Sequence, residues 1–299
     1  MNSLRLRAAG KINLFLEILG VRPDGYHDLY MVLQSIDLAD FVTLKPANSL
    51  SIHCTHPLVP NDSRNLAWKA AELIQKVYGI TQGIEIWIDK HIPVASGLAG
   101  GSADAAAVLV GLNQLWDLGL TQIQLQELAG QLGSDIPFCV VGGTALGLGR
   151  GDELTALALP KPLHLVVAKP KEVQVSTAWA YGTYREKYLP HRLADRANAK
   201  EMLAALSAGD VHRIAAALHN DLEAPILPAH PEVAALRERF MDNGAIGAMM
   251  SGSGSAVFGL ALNRFEAENL FERMQGDGQI EIHLCHTVLG GVTLEDLAS

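Results

Sequence analysis

Two glycine- and serine-rich stretches and two isolated charges are the parts of this chain best suited to do chemistry. Gly97-Leu-Ala-Gly-Gly-Ser102 leads straight into a helical segment. Glycine lets a backbone curl so that several N–H groups aim at one point, and a helix amino terminus adds unpaired donors and a partial positive charge. That combination suits a phosphate. The GxxxxGK[ST] and GxGxxG spacings are absent, so the stretch is neither a P-loop nor a dinucleotide fingerprint. The plainer alternative is a turn capped by Ser102. Met250-Ser-Gly-Ser-Gly-Ser255, between two apolar segments, is either a second such loop or a hairpin turn. Together the two would hold a nucleoside triphosphate along its length. Asp135, in Gly133-Ser-Asp-Ile-Pro-Phe138, sits among small and apolar residues. It is either a partly desolvated catalytic carboxylate or a turn and cap residue ahead of Pro137. Lys11 lies between apolar stretches and either snorkels to solvent or neutralises a carboxylate or phosphate. The clusters His53-Cys-Thr-His56 and His283-Leu-Cys-His286 lack CxxC pairs and structural-zinc spacing, which favours ordinary strand and loop histidines over metal ligands.

These groups need a scaffold, and the chain can build one. It has 299 residues, 49% of them apolar and 18% charged, enough for a large core. Residues 4–8, 12–18 and 37–44 read as strands around the turn Arg22-Pro-Asp-Gly-Tyr-His27. Residues 65–78 carry helical spacing, 84–88 alternate as a strand, and helices follow near 103–115 and 121–132, the latter with Thr121 as N-cap. Residues 138–147 are apolar and glycine-rich, and 149–153 turn the chain. After Pro160-Lys-Pro162 come a strand at 163–168, helices at 177–188, 199–208, 211–219 and 232–242, and strands at 256–262 and 280–284. Helices followed by sheet, without regular βαβ alternation, predict an α+β fold with domains at 1–159 and 160–299.

Composition narrows the function. Lys plus Arg is 23 and Asp plus Glu is 32, a net charge of −9, which argues against a general nucleic-acid binder. No apolar run is long enough to span a membrane. Lys11, Asn13 and Glu17 interrupt the short apolar stretch near the start, making it a poor signal peptide. Three cysteines are too few for a disulfide framework. The expected location is the cytoplasm, or a plastid stroma for a processed organellar form. No heptad or other patterning points to an oligomeric interface.

In order, the motifs resemble those of the GHMP kinases. PVASGLAGGSADAA (93–106) is similar to the family's phosphate-binding motif and MMSGSGSAVFG (249–259) to its third motif. AAGKINLFLEILGVRPDGYHDLYMVLQSIDLAD (8–40), GSDIPFC (133–139), GRGDEL (149–154) and HNDLE (219–223) resemble the branch that phosphorylates a cytidine diphosphate substrate. The likeness covers nearly the whole chain. It implies a two-domain GHMP-kinase fold: an ATP-binding domain like the second domain of ribosomal protein S5, a C-terminal α/β sandwich, and an active site in the cleft between them. Lys11 and Asp135 would be the catalytic pair. Pro93, Gly97, Leu98, Ala99, Gly100, Gly101, Ser102 and Ala103 would bind ATP, with Asn65 and Lys90 toward its adenosine end. Asn13, Tyr26, His27, Tyr181, Ser253 and Gly254 would meet the cytidylyl substrate. Magnesium would arrive with ATP, with no dedicated protein site. The motif often reads Gly-Leu-Gly-Gly-Gly-Ser-Ser-Asn in that family. Here Ala99 and Ala103 remain small, while Asp104 adds a charge that would favour the helix dipole by about 0.3–1 kcal/mol yet repel a nearby phosphate. Another small-molecule kinase of the superfamily, or a non-catalytic ligand sensor on the same fold, are the alternatives. The Arg22–His27 segment speaks against the first and the presence of both Lys11 and Asp135 against the second.

Overall fold

A computed structural model describes residues 3–191, 197–276 and 278–295. Two long strands, β1 (Leu4–Val21) and β2 (His27–Ala47), form a hairpin. Its turn works as its residues require: Gly25 takes φ +85°, its N–H donates to the Arg22 carbonyl at 3.0 Å, and Asp24 Oδ1 accepts from the Tyr26 N–H at 3.0 Å. Three register shifts, between residues 9 and 11, 13 and 15, and 18 and 20, curl the pair. Beyond the hairpin come β3 (Ser51–Cys54), α1 (Leu66–Tyr78), β4 (Gly83–Asp89), α2 (Gly100–Leu115), α3 (Gln122–Gly130), α4 (Ile136–Val141), β5 (Thr144–Gly149) and β6 (Glu153–Leu157). The two halves of β2 pair with different strands, residues 41–47 with β4 and 29–34 with β5.

α1 follows its pattern closely. Ala67, Ala70, Ala71 and Ile74 bury one stripe, Asn65 caps the start, and Gly79 ends it at φ +66°. α2 is buried nearly all round, from Ala103 to Leu109. It lies so close to the sheet that a Cβ on Gly111 would run into Leu44 and Leu6. α3 carries the expected Thr121 cap, completed by Gln124 as a capping box.

The second half contributes β7 (His164–Pro170), α5 (Thr177–Lys187), α6 (Ala197–Ala208), α7 (Val211–Ala216), β8 (His219–Asn220), α8 (Glu223–Ala229), α9 (Pro231–Asp242), β9 (Gly247–Met250), β10 (Val257–Ala261), α10 (Arg264–Met274), β11 (Ile280–His286) and β12 (Val292–Glu295). Four of these strands make an antiparallel sheet in the order β11-β7-β10-β9. A second cluster of buried apolar residues, among them Val166, Phe240, Val257 and Leu270, packs against it.

The sheets do not divide at residues 159 and 160. β12 pairs with β1 along Arg5–Ala8, and β8 pairs with Phe15 and Leu16 of β1, so late segments complete an eight-stranded sheet begun by the first. Those two short strands cover the edge that an 18-residue strand would otherwise expose. Two further differences bear on the site. α2 begins at Gly100, earlier than its apolar spacing predicts, and the stretch expected at 138–147 resolves into the short helix α4 followed by β5.

Candidate active site

A cleft of about 950 Å³ is lined from both halves of the chain. At its centre Lys11 and Asn13, two apart on β1, project from the same face. The Lys11 side chain is 5% exposed, and its ammonium donates to Asn13 Oδ1 at 2.7 Å. Asp135 Oδ2 stands 3.7 Å from the same nitrogen. Asp135 holds the N-cap position of α4 but its side chain makes no capping hydrogen bond. The carboxylate is turned to Lys11 instead, half-exposed at the cleft wall. Both residues were open to a bland reading from sequence; the structure brings them together.

The two glycine-serine loops meet beside this pair. Met250 opposes Val257 across β9 and β10, so the second stretch does close a hairpin, and Gly252, Ser253 and Gly254 also line the cleft. Ala256 N–H donates to the Ser96 carbonyl at 3.0 Å and Ser251 Oγ to the Gly97 carbonyl at 3.2 Å. Gly97 takes φ +79°, and a Cβ there would run into the Ser251 carbonyl oxygen. Asn220 of β8 fastens the hairpin from below, its Nδ2 donating to the carbonyls of Met250 and Gly252 at 2.8 Å each. Glu223 Oε1 accepts from the Met250 N–H at 2.9 Å. The HNDLE motif is therefore a buckle between β1 and the second loop, a role sequence reasoning did not assign to it.

Within the first loop the residues divide by direction. Pro93, Gly97, Ala99, Gly100, Gly101 and Ser102 line the cleft. Leu98 and Ala103 are fully buried in the core instead. The Leu98 carbonyl accepts the Lys11 N–H at 3.0 Å, its own N–H goes to Ser96 Oγ at 3.3 Å, and the Ala103 N–H bonds to the Ala99 carbonyl at 2.9 Å. Their amides are thus committed to the fold. Gly100, Gly101 and Ser102 precede that first intrahelical bond, so their N–H groups have no acceptor within the helix, and all three residues line the cleft. Ser102 is not the cap; Ala99 holds that position, in the left-handed conformation at φ +59°.

Lys90 and Asn65 reach the cleft with their polar ends already engaged. Asn65 Oδ1 accepts from the Ala67 N–H and its Nδ2 donates to the Pro60 carbonyl, both at 2.9 Å. The Lys90 side chain, 3% exposed, is clamped between Asp40 and Asp104, with Asp104 Oδ2 at 2.7 Å. Asp40 also accepts the backbone N–H groups of His91 and Ile92 at 2.6 and 2.8 Å. Burial pushes the Asp104 carboxyl up to about 8 against the pull of Lys90, with the Asp40 charge adding to the rise. Burial alone would lower the Lys90 ammonium; the two carboxylates hold it above its ordinary value. Asp104 therefore serves Lys90 rather than the helix dipole, and Asp40 is a partner no spacing announced.

The third part of the cleft is aromatic. The His27 and Tyr181 rings lie 5.0 Å apart, and the Arg150 guanidinium sits 5.0 Å over the Tyr26 ring. Tyr26 is 54% exposed, while His27 Nε2 is buried with no hydrogen-bond partner among the described residues. Burial, then the nearby charge of Arg185, keeps the His27 imidazole below its usual range and so neutral. Away from the cleft, His53 stacks on Trp87 at 4.3 Å, His283 pairs with Glu281 at 3.2 Å and His286 with Asp37 at 2.7 Å. Among the described residues no group of three His, Cys, Asp or Glu side chains could hold a metal, and no helix is long and apolar enough to cross a membrane.

Comparison with known proteins gives this geometry a family. The profile of the GHMP kinases N terminal domain matches residues 65–143, and that of the GHMP kinases C terminal matches residues 202–279. A 4-diphosphocytidyl-2-C-methyl-D-erythritol kinase from Gloeobacter violaceus is 58% identical over 299 residues, covering 100% of this chain and 99% of that protein. Its counterpart from Acaryochloris marina is 48% identical over 308 residues, covering 98% and 99%. A crystal structure of 4-(cytidine 5'-diphospho)-2C-methyl-D-erythritol kinase superposes with a TM-score of 0.80 at 34% identity, covering 96% of this chain and 100% of that one. A homoserine kinase structure from Cytophaga hutchinsonii reaches 0.77 at 20% identity and shares the fold. With full-length identity of this order and a cleft built from the family's motifs, the chain belongs to the GHMP kinases and, within them, to the 4-diphosphocytidyl-2-C-methyl-D-erythritol kinase family.

Proposed function

We propose that this protein transfers the γ-phosphoryl group of ATP to the 2-hydroxyl of 4-diphosphocytidyl-2-C-methyl-D-erythritol, a step of the non-mevalonate route to isoprenoid precursors. The observation that carries the mechanism is the 3.7 Å approach of Lys11 Nζ to Asp135 Oδ2 where the two glycine loops meet the aromatic pocket. Asp135 orients the substrate hydroxyl and takes its proton. Lys11 holds Asp135 in place and offsets charge on the transferring phosphoryl group. Phosphoryl transfer depends mostly on positioning and charge stabilisation, so a carboxylate of modest basicity suffices. The first-turn amides of α2 and the loop carrying Ser253 and Gly254 hold the phosphates between them. Tyr26 and Tyr181 flank the cytosine, and the unpartnered Nε2 of His27 meets its polar edge, with Asn13 closing the pocket beside Lys11.

Magnesium suits these residues as a companion of ATP. Among the oxygen donors of the cleft, Asp104 is engaged with Lys90, and the Ser102 hydroxyl and the half-exposed Asp135 carboxylate stand beside the phosphate loop. So sparse a set fits an ion held chiefly by phosphates and water. When bound, the ion neutralises charge on the phosphate oxygens. The three unpaired cysteines, two of them buried, suit a reducing compartment, and we assign the reaction to the cytoplasm.

A coupled ADP-release assay with Mg-ATP tests the reading, with 4-diphosphocytidyl-2-C-methyl-D-erythritol, mevalonate and homoserine run in parallel. ADP release with the cytidylyl substrate alone is the expected result. Turnover of mevalonate or homoserine instead would discard the roles of Tyr26 and His27.

A further inference from the structure

We infer that Arg185 is the anion-binding residue of the aromatic pocket, taking the diphosphate of the cytidylyl substrate and setting a preference for a nucleoside diphosphate over a free nucleoside. The inference rests on the cytidylyl reading of that pocket given above.

Four lysines and arginines line the cleft: Lys11, Lys90, Arg150 and Arg185. Three have another place or partner. Lys11 faces Asp135 and Asn13 at the reacting end. Lys90 is held by two buried carboxyl groups, those of Asp40 and Asp104. Arg150 donates to Asp152 Oδ2 from two nitrogens, at 2.6 and 3.1 Å, and spends its face on the Tyr26 ring. Among the described residues Arg185 has neither an ion pair nor a hydrogen bond, although it lines the same cleft.

Its place on the fold directs that spare charge. Arg185 lies four residues beyond Tyr181 on α5, one helical turn along the same face. Tyr181 touches the His27 ring, and burial first, then the charge of Arg185, lowers the His27 imidazole. Arg185, an exposed residue of the cleft wall, thus follows by one turn the tyrosine that packs on His27. A nucleotide whose base lies between Tyr26 and Tyr181 brings the two negative charges of its diphosphate into a cleft that already carries the Asp135 carboxylate. It needs a cation not already balanced by protein, and an arginine fork matches phosphate oxygens in geometry.

Isothermal titration of cytidine, CMP and CDP tests this, using the full chain saturated with a non-hydrolysable ATP analogue. For Arg185→Met we expect the preference for CDP over cytidine to shrink about 10- to 100-fold with cytidine affinity unchanged. Arg185→Lys should recover part of it. In turnover, Arg185→Met should raise KM for the cytidylyl diphosphate with kcat and the KM for ATP unchanged. Arg150→Met should instead weaken cytidine and CDP alike, by releasing the Tyr26 ring. Unchanged CDP affinity in Arg185→Met, or equal loss of cytidine and CDP, would overturn the assignment. A wild-type protein that does not prefer CDP to cytidine would sink the reading of the pocket itself, before any variant is made, and this inference with it.

Discussion

At the reacting end of the cleft, Lys11 keeps one short hydrogen bond to neutral Asn13 and stands 3.7 Å from Asp135. At the cleft wall beside α2, Lys90 is held by two carboxylates at once. Both side chains are almost wholly buried and both line one cavity. The difference is slack. The Lys11 ammonium has donors left for a third partner and a carboxylate close enough to influence yet too far to saturate it. Lys90 gives two of its three donors to Asp40 and Asp104, and two buried acids depend on it. A buried lysine beside a carboxylate is therefore not by itself a catalytic lysine; the number and closeness of its partners decide which kind it is.

The comparison breaks most sharply at Asp135. Asp135→Ala should lower kcat by about 10²- to 10⁴-fold, the usual contribution of a positioned acid–base group. ATP binding and the thermal midpoint should stay close to wild type, because the half-exposed carboxylate makes no cap. Single-turnover kinetics with a denaturation curve on the same sample separates the two, and unchanged turnover would remove Asp135 from the mechanism. Lys90→Met should do the reverse. It strands Asp40 and Asp104 in the core, a loss of about 3–5 kcal/mol for a broken buried pair. The value should fall at the low end, since Asp104 readily takes up a proton. Urea denaturation measures it; a variant as stable as wild type but inactive would make Lys90 a second catalytic lysine.

Why one lysine was legible in the sequence and the other was not follows from how far each argument had to reach. Lys11 breaks an apolar run and Asp135 sits in an apolar setting, so each is visible as a cost needing a reason. The partners of Lys90 lie 50 and 14 residues away, on β2 and α2, and only the fold joins them. The glycine loops were legible for a similar reason, because Gly97 and Gly252 have a use only where backbone passes close to backbone. What the motif hid was direction: Leu98 and Ala103 belong to it by spacing yet point into the core. α10 has Ala267, Leu270 and Met274 at helical spacing behind Asn263 as cap, but its many charges masked the stripe. β12 has four residues and no pattern of its own; the open edge of β1 recruits it.

Asp104 sharpens the comparison through pH. Its carboxyl is raised to about 8, so the folded state holds a proton that the unfolded chain releases near the ordinary carboxylate value. The stability it contributes is full below that lower value and is lost as the pH rises toward about 8. Asp104→Asn keeps the shape without the titration. The melting temperature of wild type should fall between pH 5 and 8.5 more steeply than that of Asp104→Asn, read by thermal scans across that range. Parallel slopes would show that Lys90 keeps Asp104 ionised throughout.

The smallest effect concerns the frame that lets Lys11 remain slack. A loosely bonded ammonium is useful only if the loops around it are stiff, and the two loops achieve this differently. The hairpin loop places glycines at its left-handed positions, Gly252 at φ +54° and Gly254 at φ +76°. The first glycine loop places alanines at two of its own, Ala95 at φ +53° and Ala99 at φ +59°. An L-residue there carries a strain of about 1–2 kcal/mol that glycine avoids, while glycine gives back about 0.4–1 kcal/mol through a more flexible unfolded chain. Ala99→Gly should therefore stabilise the protein by roughly 0.5–1 kcal/mol. It should also loosen the turn that presents the amides of Gly100, Gly101 and Ser102, raising the KM for ATP a few-fold with kcat unchanged. A denaturation midpoint that rises while the KM for ATP stays fixed would mean that the buckle of Asn220 and the contact of Gly97 with Ser251 already hold the loop, and that the strain at Ala99 adds nothing to its stiffness.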